Sequence, residues 1–260
     1  MSGALTGKVC LIAGTTGIGG ASARLFGREG ARVAAVGRSA ENAAALGREL
    51  TAAGVENFTL AMDLAEPDSA DRAHAAVLDR FGRIDVLFHA AGISGRKIGD
   101  GPLAECTDEG WDAVMAVNLR AMMRLNRACL RHWLATRQPG VILNMASVLG
   151  FSFVAEHFNT VAYAATKGAI ISMSRHAAAT YARQGIRINV IAPALVDTPM
   201  AARATQNPAI LELLRRKQPL TGRPLIDDDC ARAALYLCSD GSAGVTGIVL
   251  PVDAGWCVSG

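Results

Sequence analysis

Apolar residues along this chain fall into short dense blocks, with longer amphipathic stretches between them. The blocks Lys8–Ala13, Arg32–Val36, Phe58–Met62, Ile84–Phe88, Val141–Met145, Arg187–Ile191 and Gly247–Val252 read as strands. Between them the pattern through Ala21, Leu25 and Phe26, and the segments 40–53, 108–135, 160–183, 200–217 and 227–239, read as helices. A further helix is expected to start near Pro67. Strand and helix alternate throughout, with a right-handed crossover at each return. This predicts an α/β fold, a doubly wound parallel sheet of about seven strands flanked by helices. No repeat, low-complexity tract or linker divides the 260 residues, so one domain spanning 1–260 is expected, with 200–217 as a mobile helical flap.

Candidate chemistry sits where the strands end. The first strand runs into Gly14-Thr15-Thr16-Gly17-Ile18-Gly19-Gly20 and then a helix. Strand, glycine turn, helix is the setting in which a backbone approaches a diphosphate and a helix N-terminus offers free N–H groups. The second strand ends at Gly37-Arg38-Ser39. An acid there would take the 2′-hydroxyl of NAD, whereas Gly37 removes the acid and Arg38 supplies a cation for the 2′-phosphate of NADP. NADP(H) is therefore the favoured cofactor and NAD(H) the second choice. Asp63-Leu64 follows the third strand; the carboxylate either accepts from an adenine amino group or caps the next helix.

His89-Ala90-Ala91-Gly92 closes the fourth strand, and small residues there suit a backbone passing close to a flat ligand. A histidine at a buried strand end more often belongs to the framework than to the chemistry. Asn118 lies among Val114, Val117, Leu119 and Met122, as an internal brace or a site residue. Ser147 follows the fifth strand at the edge where open α/β sheets bind ligands. The run Val148 to Phe158, with Phe151, Phe153 and Phe158, is expected to form an apolar wall over the site, and Pro193 through Pro199 follows the sixth strand.

On the 160–183 helix, Tyr163 and Lys167 are four residues apart and so share a face. A phenol of pKa about 10 is a poor base near neutrality, and lowering it by about three units needs about 4 kcal/mol. One cation at about 4 Å and an effective dielectric of about 20 supplies about that much. The pair is expected to work as a tunable acid/base.

Composition narrows the field further. The formal charge is only +3 and arginines alternate with acids, which argues against a nucleic-acid groove. No apolar run reaches the length of a membrane span, and the first residues, Met1 to Lys8, carry no apolar core with a cleavage site. Cys10, Cys106, Cys129, Cys230, Cys238 and Cys257 lack metal spacing, so reduced thiols, no metal and a cytoplasmic setting are expected. Small residues around several faces of the 160–183 helix, among them Ala164, Ala165, Gly168, Ala169, Ala177 and Ala178, suit packing against a symmetry mate.

Taken in order, several pieces resemble the short-chain dehydrogenase/reductase family over essentially the whole chain: the glycine loop at 14–19, Asp63, Ala91-Gly92, Asn118, Ser147, Tyr163 with Lys167, and Pro193 through Thr198. The closing Val245-Thr246-Gly247 and Val252-Asp253-Ala254-Gly255 add to the likeness. The resemblance implies a Rossmann-like NAD(P)-dependent oxidoreductase acting on a small-molecule alcohol or carbonyl, in a homotetramer. Tyr163 would be the acid/base, Lys167 would hold its pKa down and bond the nicotinamide ribose, and Ser147 would donate to the substrate oxygen. Asn118 would hold a water on a proton path, and Val196 and Thr198 would grip the carboxamide. Further cofactor contacts are expected from Gly14, Thr16, Gly17, Ile18 and Gly19, from Arg38, Asp63 and Leu64, and from His89, Ala90, Gly92 and Pro193.

Departures from the family pattern include a glycine loop shorter by a residue, His89-Ala90 in place of two asparagines, and Ala194 and Ala254 in place of glycines, mild changes if φ is negative there. The rival reading is a catalytically idle nucleotide-binding sensor or scaffold, which loss of Tyr163 or Lys167 would favour; both are present.

Overall fold

The computed structural model describes residues 3–154 and 157–260. Met1 and Ser2 of the N-terminal stretch, and Ala155 and Glu156 of the proposed apolar wall, lie outside the described residues. Among the described residues one sheet holds seven strands: β1 (Val9–Ala13), β2 (Arg32–Gly37), β3 (Asn57–Ala61), β4 (Val86–His89), β5 (Gly140–Met145), β6 (Ile186–Pro193) and β7 (Val249–Val252). Their order is β3-β2-β1-β4-β5-β6-β7 and every pairing is parallel. The order reverses between β1 and β4, which opens a crevice at their carboxyl ends, where Ala13 pairs with His89.

The helices are α1 (Gly17–Arg28), α2 (Ala40–Ala52), α3 (Ser69–Phe81), α4 (Asp108–Val114), α5 (Ala121–Thr136), α6 (Val161–Tyr181), α7 (Ala202–Thr205), α8 (Pro208–Lys217) and α9 (Asp227–Cys238). Local chemistry starts several of them. Ser39 Oγ accepts from Asn42 N at α2, Thr107 caps α4, and Asn207 caps α8 ahead of a proline in its first turn. Strand residues alternate between two cores. Val9, Leu11 and Ala13 face a layer with Val77, Leu125 and Trp133, while Cys10 and Ile12 face Phe26, Leu50 and Leu237. Both sheet faces are therefore covered, which is why the strands read as unbroken apolar blocks.

Four expectations change. The single helix over 108–135 is two helices joined by a π-helical segment, Met115–Arg120, at the middle of which lies Asn118. The 200–217 flap is a 3₁₀ turn (Pro199–Ala201) followed by α7 and α8, anchored by the buried Ile210, Leu213 and Leu214. Ala254 has φ +50°, so it stands in the left-handed region that the replaced glycine would occupy without strain, and the change is not mild. Ala178, expected on a free helix face, is buried in the core instead.

Candidate active site

The glycine turn is built for close approach. Gly14 and Gly17 have φ of +121° and +51°, and a Cβ on Gly19 would lie 2.5 Å from Gly14 O. Thr16 precedes α1 without lending its side chain as a cap, and the first turn carries no acid. The N–H groups and positive dipole end there suit a diphosphate, so the residues fit a dinucleotide. The Thr198 methyl lies over Gly17, where an added Cβ would come within 3.1 Å, so the segment after β6 closes on the turn.

At the end of β2, a Cβ on Gly37 would meet Thr15 Oγ1 at 2.5 Å, so the buried Thr15 leaves no room for an acid at this position. Arg38 beside it is exposed. Sequence reading saw the missing acid and not its steric cause.

The catalytic candidates converge at the carboxyl edge of β5. Lys167, 4% exposed, donates to Met145 O at 3.0 Å, and its Nζ sits 5.3 Å from the Tyr163 ring centre. Ser147 donates to Pro193 O at 3.3 Å and accepts from Leu149 N at 3.2 Å. A Cβ on Gly92 would lie 3.1 Å from Asn118 Oδ1 and 3.8 Å from Lys167 Nζ, so Gly92 leaves the floor of the site open.

The electrostatics correct the expected acid/base tuning. Burial raises the Tyr163 pKa, with Ser147 working in the opposite direction. The Lys167 ammonium stands beside the phenol, and burial lowers its own pKa to about 8. The phenol is held in its protonated form.

Asn118 is a brace. Its Oδ1 accepts from Ile93 N at 2.7 Å, while Nδ2 donates to Ile93 O at 2.9 Å and to Thr166 Oγ1 at 3.3 Å. These bonds tie the Ile93 loop to the π-helical segment and to α6. His89 is fully buried, its ring nitrogens are without partners among the described residues, and burial followed by the Lys167 charge pushes it to about 3. Only its backbone can meet a ligand. Leu64 belongs to the core, and Asp63 Oδ1 accepts from Ala65 N, closing its own turn; α3 starts later, at Ser69. Val196 and Pro193 are buried, Ala90 and Gly92 half-buried, and Ile18 packs against the Val196 cluster. Of the apolar wall, Phe158 turns inward and meets Trp256 edge-on at 5.7 Å, while Phe151 and Phe153 are exposed.

Asp100 was missed entirely. Its carboxylate accepts from Ala162 N and Tyr163 N, both at 2.9 Å, and caps α6 from a loop 62 residues earlier. No local spacing betrays such a cap. The only hint is an acid in a glycine-rich loop with no helix of its own to start.

A family model described as enoyl-(acyl carrier protein) reductase matches residues 12–257. The 2,5-dichloro-2,5-cyclohexadiene-1,4-diol dehydrogenase LinX of Sphingobium indicum is 34% identical, covering 99% of both chains. The A-factor type gamma-butyrolactone 1'-reductase of Streptomyces virginiae is 36% identical over 98% of both. Among solved structures, an actinorhodin polyketide ketoreductase with NADPH superposes with a TM-score of 0.87 at 31% identity, covering 99% of this chain and 100% of that one.

Proposed function

Since the chain belongs to the short-chain dehydrogenase/reductase family, we propose that it interconverts a secondary alcohol and a ketone by hydride transfer, with NADP(H) preferred over NAD(H). The observation that carries this is the meeting of Tyr163, Lys167 and Ser147 at the switch-point edge of the sheet, beside a glycine turn fit for a diphosphate. Such a constellation has no use in an idle sensor or scaffold.

The nicotinamide, when bound, supplies or accepts the hydride. In reduction, Tyr163 gives its proton to the carbonyl oxygen while the Ser147 hydroxyl turns from Pro193 O to donate to the same oxygen. Lys167 lies over the phenol ring and offsets the charge left on it. Burial holds the Tyr163 pKa above the ordinary phenol value, so the proton this residue hands over in reduction is in place at neutral pH. Ala162 N and Tyr163 N, held by Asp100, fix the turn from which the phenol projects.

Arg38, exposed past Gly37, supports the NADP(H) preference. A shallow groove of about 560 Å³ between the π-helical segment and α6, lined by Met115, Leu119, Met123, Ala169 and Met173, supports a homotetramer built on these helices. Free thiols at all six cysteines support a reducing cytoplasm. No helix among the described residues is long and apolar enough to cross a membrane.

The test follows the absorbance of reduced nicotinamide with a ketone panel, comparing wild type with Tyr163→Phe. Loss of the hydroxyl is expected to lower kcat by about a thousandfold while NADPH still binds. Equal activity of the two proteins overturns the assignment. The cofactor preference is checked by Arg38→Ala, which is expected to bring kcat/KM for NADPH and NADH together.

A further inference from the structure

Two guanidinium groups meet over the loop that leads into the catalytic helix. Arg96 lies on the loop after β4, three residues past Ile93, whose backbone Asn118 grips. Its Nη1 and Nη2 both reach Asn159 Oδ1 at 3.3 Å, and Nη2 also reaches His157 O at 3.3 Å. Arg203, in α7, comes from the opposite side, five residues past the Thr198 that covers the glycine turn, and reaches the same His157 O at 3.4 Å.

These contacts are long and the acceptors neutral. Backbone-type N–H···O bonds centre near about 2.9 Å and charge-assisted ones are shorter still, so both forks are held loosely. Among the described residues neither arginine forms an ion pair, although eight ion pairs occur elsewhere. Asp100, whose charge acts on Arg96, has committed both oxygens to the α6 cap. Burial, and then the charge of Arg203, lowers the Arg96 pKa, the mark of a second cation close by. Bringing two cations to one carbonyl oxygen costs free energy that an anion would return.

Resting on the oxidoreductase reading, we infer that Arg96 and Arg203 form the anion-binding end of the substrate site, so that the substrate is a hydroxy or keto compound carrying a carboxylate. Three arguments carry this. The guanidinium fork matches a carboxylate in two-point geometry. The anchoring residues His157 and Asn159 stand six and four positions before Tyr163, on the segment that leads into the helix carrying the phenol. The two cations also arrive from different walls, the post-β4 loop and the segment over the cofactor turn, and so span the entrance. With Phe151 and Phe153 exposed on the intervening segment, the site suits an apolar chain ending in an acid.

The experiment measures kcat/KM for levulinate and its longer keto-acid homologues against their methyl esters, using wild type and the Arg96→Gln/Arg203→Gln double variant with NADPH. Wild type is expected to prefer at least one acid over its ester by about tenfold or more, chiefly through KM, with the ratio collapsing towards one in the double variant. An acid no better than its ester in wild type, or a preference that survives in the double variant, overturns the inference. Glu156→Gln is expected to keep the preference; its loss there would assign the selectivity to Glu156 and overturn the inference as well. If neither acids nor esters are reduced and neutral ketones also fail, the oxidoreductase reading falls. The anion site is then decided by equilibrium binding of levulinate and of inorganic phosphate to the NADPH-loaded protein, where equal affinity in wild type and double variant overturns it.

Discussion

The two halves of the sheet hold their functional groups in different ways. Around β1 to β3 the turn for the cofactor is shaped by what side chains are too small to obstruct: Gly14, Gly17 and Gly19 fold on themselves, and Gly37 yields to Thr15. Around β4 to β6 the proposed catalytic groups are placed by polar side chains that reach across the chain. Asp100 holds α6 over 62 residues, Asn118 holds Ile93 over 25, and Lys167 holds Met145 over 22. One half works by backbone conformation, the other by satisfied buried hydrogen bonds. Damage to the first should fall on cofactor binding, and damage to the second on turnover.

Gly19→Ala gives the strongest test. Its new Cβ would stand 2.5 Å from Gly14 O, and neither backbone can yield without moving the turn. The KM for cofactor is expected to rise by about a hundredfold, with kcat changed by no more than about threefold. Asp100→Ala should do the reverse. Losing a cap costs about 1–2 kcal/mol of stability, and the released turn carries Tyr163, so kcat is expected to fall by about thirtyfold while cofactor affinity holds. If both variants raise the cofactor KM equally, the division between the halves is wrong.

A third test is pH. Burial lowers Lys167 from 10.5 to about 8, so between those values the unfolded chain holds a proton that the folded chain has released. Stability therefore rises with pH across that window. Reduction needs the ammonium, and kcat/KM is expected to fall about tenfold per pH unit above about 8. A flat profile from neutral pH to pH 10 would show that the charge on Lys167 plays no part in reduction. The smallest effect is expected from Ala254→Gly, which relieves the left-handed alanine and should add about 1 kcal/mol of stability without touching kinetics.

The same division governs what could be read from the residue order. The strand blocks, the glycine turn, and Tyr163 one helical turn from Lys167 are local patterns, and the structure keeps each within a residue or two of its expected place. What was hidden depends on contacts between distant segments. Nothing near Asp100 says that it caps α6, and nothing around Asn118 says that its amide grips Ile93 and that the helix there widens to a π-turn. The sign of the Tyr163 shift was hidden for a related reason. The pairing of phenol and amine on one helix face is visible in the spacing, but the burial that raises the phenol's pKa comes from segments elsewhere in the chain. Sulfur placement was more legible, since Cys10, Cys129, Cys230 and Cys238 lie buried in the apolar surroundings their neighbours suggest.

The reach of Asp100 also fixes an order of events during synthesis. The first three strands lie within residues 9–61, yet α1 and β1 bury their apolar side chains against Phe88 of β4 and Leu237 of α9, so this half too waits for segments made much later. The first turn of α6 has to wait until a loop made some 62 residues earlier is in position to receive its amides. A newborn chain therefore completes neither the nucleotide's turn nor the helix that carries the phenol until its last third has emerged.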